Sequence, residues 1–198
     1  MTAAAPHELD LVIDFVNTRD LEEGTDALST PQDLAAWLAK RRLGTARTLV
    51  LDERDHRHAV NLREALRSLM LANNGGPPAQ RAGRELERAA RRGEVGIHFA
   101  DDGSASLAPG AGGFAGALAR LLIPVADALG DGSWQRVKAC RAPGCHWAFY
   151  DRSRNRSGVW CQMAVCGNRT KVRAYRERIP ARPGGRVAAS RRRAAGGS

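Results

Sequence analysis

The chain has 198 residues, 43% of them hydrophobic, and a net charge of +10, which suits one substantial domain plus a small module. No apolar run approaches the roughly 18–20 residues that span a bilayer, and residues 1–20 carry neither a basic n-region nor a small-residue cleavage site. A soluble, cytoplasmic protein without a membrane role is expected.

The first two-thirds of the chain reads as mostly helical. Leu9, Val12, Ile13 and Val16 recur at helical spacing, with Phe15 widening the stripe. Thr30-Pro31 is an N-cap and first-turn pair leading into Leu34, Trp37 and Leu38, and this helix stops before Gly44. A longer helix is predicted over 52–73 with Ala59, Leu62, Leu66, Leu69 and Met70 facing inward, ended by Asn74-Gly75-Gly76-Pro77-Pro78. Another is predicted over 79–92, with a poor apolar stripe. The period then changes: Val95, Ile97 and Phe99 alternate ahead of an Asp102-Gly103 turn, predicting a hairpin with Ser106-Leu107. The last helix of this part, 114–129, contains Pro124, which is expected to kink or split it.

Gly130-Asp131-Gly132-Ser133 is a natural boundary, and the charge divides there. Residues 1–133 carry 15 Lys+Arg against 19 Asp+Glu, whereas residues 134–198 carry 16 against 2. All four cysteines and six of the ten aromatics also lie beyond the boundary. Two functional units follow, the second suited to a polyanionic partner. A tail over 181–198, rich in Arg, Ala, Gly and Ser, cannot bury a core and is predicted to be disordered.

The cysteines Cys140, Cys145, Cys161 and Cys166 are spaced C-x4-C-x15-C-x4-C. Two close pairs on tight turns are how a tetrahedral metal site is assembled. Two disulfides are the alternative, disfavoured in a reducing compartment. Four thiolates suit Zn2+, fill every coordination position and leave no place for a catalytic water, so the ion would be structural. The centre would be doubly negative, with Arg side chains and backbone amides to offset it. Pro143-Gly144 and Gly167 supply the tight backbone. So short a module cannot fold on apolar burial alone, and the metal is expected to carry much of its folding free energy.

Several motifs resemble a known family. The run Cys161-Gln162-Met163-Ala164-Val165-Cys166-Gly167-Asn168-Arg169 resembles the signature of the CGNR zinc-finger family. So do the upstream Cys140-x4-Cys145-x-Trp147-x-Phe149 and Asp151-x-Ser153-x-Asn155. The segments Leu11-Val12-Ile13-Asp14-Phe15-Val16-Asn17-Thr18 and Asp33-Leu34-x-x-Trp37-Leu38 resemble its usual N-terminal partner, the ABATE domain. The resemblance implies a bacterial transcription regulator with a DNA-binding zinc finger, the four cysteines as ligands, and Gly167, Asn168 and Arg169 as signature residues. The fold expected is mainly α with a small β-hairpin. A helical ABATE-like domain over 1–130, for sensing or assembly, would precede a small α+β, treble-clef-like, four-cysteine zinc finger over 134–180.

After Cys166 a helix is predicted to Arg178, stopped by Pro180. Val172, Tyr175 and Ile179 form a stripe expected to pack on the zinc core; Arg169, Arg173 and Arg176 form a second stripe, and Lys171 and Arg178 flank the first. Such a helix suits major-groove or phosphate binding. The alternative is a solvated helix whose arginines pair with the metal site or the acidic first unit. Arg152, Arg154 and Arg156 alternate with Ser153 and Asn155; in an extended loop they would point one way and track a phosphate backbone. Asp151 is a candidate to brace this loop on an arginine such as Arg169. Trp147, Phe149, Tyr150 and Trp160 are either stacking platforms or, more commonly beside metal ligands, a small core. Arg191-Arg192-Arg193 would add non-specific attraction or simply solubility.

No catalytic constellation emerges, and no enzyme is expected. His56 and His58 stand at i and i+2, about 200° apart on a helix, and cannot share an ion; solvent-facing positions are expected for both. His7 and His98 stand alone, and His146 would compete with a shell that four thiolates already fill. Asp14 and Asn17 are either pocket residues or polar positions at a helix end. The leading reading is a transcription regulator that binds DNA. The alternatives are an RNA- or ribosome-associated zinc protein and a zinc-finger protein-interaction module. A small-molecule ligand of the first unit and a homodimer are compatible with the sequence.

Overall fold

A computed structural model describes residues 6–178. The expected tail (181–198, with Arg191–Arg193), Ile179 and the side chains of His7, Glu177 and Arg178 lie outside the described residues. Helix α1 (Pro6–Val16) buries Leu9, Val12, Phe15 and Val16. Helix α2 (Pro31–Lys40) starts at a reciprocal capping box: Asp33 N–H donates to Thr30 Oγ1 at 3.1 Å, and Thr30 N–H donates to Asp33 Oδ2 at 3.0 Å. Helix α3 (Glu53–Asn73), capped by Asp52, buries Ala59, Leu62, Leu66 and Met70, with Leu69 half-buried beside them. Helix α4 (Ala82–Arg92) starts later than the expected position 79.

The small strands pair locally. β1 (Arg19–Asp20) meets β2 (Thr25–Asp26) antiparallel. The predicted hairpin forms between β3 (Val95–Phe99) and β4 (Ala105–Pro109), with Ile97 opposite Leu107. Helix α5 (Gly113–Asp131) runs through Pro124 as one helix, against the expected split. The proline sits half-exposed, and Arg120, whose carbonyl loses its helical donor there, is exposed to water. By length and composition α5 is also apolar enough to cross a membrane, which corrects the reading that no such segment exists. Here Leu118, Leu121, Leu122 and Val125 of α5 are buried in the protein's own core.

After a 3-10 turn (Ser133–Arg136) come the antiparallel strands β5 (Val137–Ala139) and β6 (Ala148–Tyr150). A π-helical turn (Met163–Gly167) then leads into α6 (Asn168–Arg178). The hydrophobic core does not stop at Gly132. Trp134, Val137, Ala139 and Ala148 belong to the same buried cluster as Phe15, Leu66 and Leu121.

Polar side chains of the first unit complete the junction. Asn17, just past α1, donates through Nδ2 to Ala148 C=O (2.9 Å) and accepts from Ala148 N–H (2.7 Å), so its amide imitates a strand edge. Asn73 Nδ2 donates to the Trp134 and Val137 carbonyls, and Asn74 Nδ2 to those of Ala139 and Val159, at 2.8–2.9 Å. Arg67, 3% exposed, donates to Val16 C=O (2.7 Å) and His146 C=O (3.0 Å). Arg63, 1% exposed, grips Asp26 with two 2.8 Å bonds. Burying a guanidinium is tolerable only when its donors are met this fully.

Candidate metal centre and basic surface

The four cysteines converge from two turns. Cys140 follows β5 and keeps its ladder through an N–H bond to Trp147 C=O at 2.9 Å, so Cys140–Cys145 is the loop joining β5 to β6. Gly144 takes φ +81°, a left-handed turn position that favours glycine. Cys161 lies before the π-helical turn, and Cys166 lies within it at the threshold of α6.

Their sulfurs all lie within 4.8 Å of one another. Cys145 to Cys161, Cys161 to Cys166 and Cys166 to Cys145 are 3.7, 3.6 and 3.7 Å. Four ligands at the usual Zn–S length of 2.3 Å on a tetrahedron stand about 3.8 Å apart. The donor set therefore fits one structural zinc ion. Cys140, Cys145 and Cys166 are buried and Cys161 half-buried, with Ala142, Phe149 and Trp160 packed around them. Burial pushes the Cys145 thiol up to about 12, so a thiolate at Cys145 needs a cation beside it. At Cys166 burial is outweighed by hydrogen bonds with the other cysteines and Arg169, which lower it.

Residues 9–132 match the model of the ABATE family, whose description reads "Putative stress-induced transcription regulator", and residues 136–179 match that of the CGNR zinc finger. The chain belongs to the ABATE family. Its four-cysteine cluster lies in the CGNR region, and neither matched family is an enzyme family. No curated protein matches the chain.

Around the centre of this ABATE protein, several cations are spent internally. Lys138 on β5 is 5% exposed and directs its ammonium at Asp151 Oδ2 (2.7 Å), Arg156 C=O (2.6 Å) and Gly158 C=O (3.0 Å). Asp151 also accepts from Ser153 N–H and Gly158 N–H. A Cβ on Gly158 would stand 2.7 Å from that carboxylate, so glycine is required there. Burial pushes the Asp151 carboxyl up, but the Lys138 ammonium and the Ser153 and Gly158 donors outweigh it and hold the group well below the usual carboxylate range. Asp151 thus braces its loop on Lys138, not on an arginine. Arg136 Nη1 donates to the Asp151 and Ser153 carbonyls.

The arginines of the CGNR module divide. Arg169 forms a two-pronged pair with Glu22 (the Nη2–Oε2 bond is 2.8 Å) and reaches Cys166 Sγ at 3.5 Å. Its guanidinium offsets the sulfur charge and ties α6 to the β1–β2 turn. The loop after Asp151 is not extended: Arg156 N–H bonds Ser153 C=O at 3.3 Å, Arg156 takes φ 51°, and the side-chain alternation is lost. Arg152, Arg154 and Arg156 are nevertheless exposed, as are Lys171, Arg173 and Arg176. Among the described residues, Arg152, Arg154, Lys171 and Arg176 form no ion pair.

The apolar stripe of α6 differs from expectation. Val172 and Tyr175 are 48% and 62% exposed, because the cysteine cluster is packed by Ala142, Phe149 and Trp160 rather than by this helix face. Of the aromatics, Phe149 and Trp160 line the cysteines, Tyr150 joins the main core, and Trp147 is 37% exposed. The histidines also deviate. His56 and His58 are half-buried rather than solvent-facing, with His56 Nε2 2.6 Å from Leu28 C=O. His146 lies at φ 50° and gives its carbonyl to Arg67. Asp14 is exposed on Arg41.

Proposed function

We propose that the chain is a bacterial, cytoplasmic transcription regulator whose CGNR module binds duplex DNA, while the helical unit (1–130) senses a ligand or mediates assembly. The observation that carries this is the exposed cation set Arg152, Arg154, Arg156, Lys171, Arg173 and Arg176, displayed around a closed four-thiolate centre on an ABATE-family chain. A rigid metal core holding arginines toward solvent supplies what phosphate positioning and base-edge reading require. Zinc is structural in this reading, held by Cys140, Cys145, Cys161 and Cys166, and no catalytic role is assigned to any residue. Arg169 is exposed but committed to Glu22 and Cys166, so it braces α6 in this reading. The zinc finger (134–180) is a separate functional unit but shares the core of the first.

Selection of bound sequences from a random duplex library tests the reading. Recovery of a consensus supports it, and no enrichment refutes it. Exposed Met163, Val165, Val172 and Tyr175 favour a second reading, a protein-interaction module. Enrichment of a protein partner with no nucleic-acid affinity would select that one. RNA bound in preference to duplex would select an RNA-associated role.

A further inference from the structure

We propose that the cleft between α3, α4 and α5 binds a small organic monocarboxylate with an apolar body, gripped by Arg92 beside His58. This rests on the reading of the helical unit as a sensor and gives its ligand a chemical class.

The cleft encloses about 300 Å³, the small end of ligand-binding clefts. Its wall from α5 is wholly apolar, with Phe114, Ala115 and Leu118, and Ala89 of α4 continues it. The charged residues that line the cleft are not equivalent. Glu85 and Arg88 neutralise each other through bonds of 2.8 and 2.7 Å. Asp55 is turned to the Asp52 N–H as part of the α3 capping box.

Arg92 is different. Among the described residues its one hydrogen bond is from Nη1 to His58 Nδ1, at 2.6 Å. A guanidinium keeps its proton, so Nδ1 is the acceptor and the imidazole is neutral, with its proton on Nε2. Burial holds His58 below its usual range, reinforced by Arg92, Arg54 and Arg88 against the opposing Asp55. A cation whose partner carries no charge thus stands beside an apolar wall, exposed, with its other N–H donors bonded to no other described residue. That is the chemistry of carboxylate recognition. Arg92 offers one guanidinium, which suits a single carboxylate group, and the apolar wall takes the hydrocarbon part.

The test uses the zinc-loaded full chain, without DNA, so that it reads the cleft whether or not the zinc module binds duplex. Sodium benzoate is titrated to about 10 mM while backbone amide shifts are followed by NMR. Saturable shifts at Ala89, Phe114 and Leu118 are expected, with neutral benzamide weaker by about tenfold or more. Arg92→Gln is expected to weaken benzoate by a similar factor while zinc content and duplex affinity stay unchanged. Ala115→Met, which fills the cleft without altering charge, is expected to abolish binding and decides the matter if Arg92→Gln misfolds. No saturable shift with benzoate, equal binding of benzamide, or undiminished binding by Arg92→Gln or Ala115→Met overturns the proposal.

Discussion

The guanidinium of Arg67 donates to the carbonyl of His146, 79 residues downstream, at 3.0 Å. Its other arm reaches the Val16 carbonyl at 2.7 Å, and its Nε meets Glu64 at 3.0 Å. One buried cation of α3 therefore ties the end of α1 to the residue beside Cys145. His146 is held there at φ 50°, a left-handed conformation uncommon for a residue with a side chain. The metal loop is shaped partly from outside the zinc module.

Arg67→Met removes those donors and leaves buried carbonyls without partners. A loss of about 3 kcal/mol or more in unfolding free energy is expected, each unmet buried group costing about 1–3 kcal/mol. Urea unfolding checks the stability, and a chromogenic chelator is expected to strip zinc faster from the variant. Unchanged stability and zinc retention would show that the junction does not support the metal loop.

The zinc itself is the next test. One ion per chain with thiolate-only ligation is expected by metal analysis and X-ray absorption. Cys161→Ser or Cys166→Ser is expected to release it and unfold the C-terminal module, with most of the far-UV helical signal retained. Two intact disulfides and no metal in the purified chain would contradict the assignment.

Much of this architecture was legible in the sequence because periodicity and caps carry it. Thr30-Pro31, Asp52, the alternation from Val95 and the cysteine spacing all correspond to elements in the fold. Arg63 and Arg67 were not legible as core residues, since charged positions beside an apolar helical stripe ordinarily face water. Asn17 reads as either a pocket residue or a polar position at a helix end, and Asn73 and Asn74 read as the end of a helix; only the tertiary fold sets their amides against β5 and β6. The charge division marks two units, but it says nothing of their shared core. Charge also overstates the available cations, because Lys138, Arg136 and Arg169 are engaged within the protein.

Asp151 gives a pH signature. Its folded pKa is depressed below the unfolded value near 3.9, so its contribution is complete above about pH 4 and is lost as pH falls further, through the folded value. Asp151→Asn leaves the Lys138 ammonium buried without its anion, at an expected cost of about 3–5 kcal/mol at neutral pH. The gap in unfolding free energy between wild type and variant is expected to be constant from about pH 5 to 7 and to narrow below about pH 4. A gap independent of pH would mean that the carboxylate charge is not what holds the loop.

The arginines separate by role. Arg154→Ala is expected to weaken all duplexes about equally and to flatten the salt dependence by roughly one unit. Arg173→Ala is expected to cost about 1–3 kcal/mol on the preferred site and less on random sequence, as loss of a two-pronged guanine contact would. Equal loss on every sequence would assign Arg173 to phosphate. Arg169→Ala is expected to speed zinc loss without changing sequence preference.

Duplex binding by the zinc-loaded full chain over a salt series tests the central claim most directly. Contacts to four to six phosphates predict a log–log slope of about −3.5 to −5.5, because each neutralised phosphate releases condensed counterions. No measurable duplex binding at about 50 mM salt, where the electrostatic contribution is strong, would contradict the account.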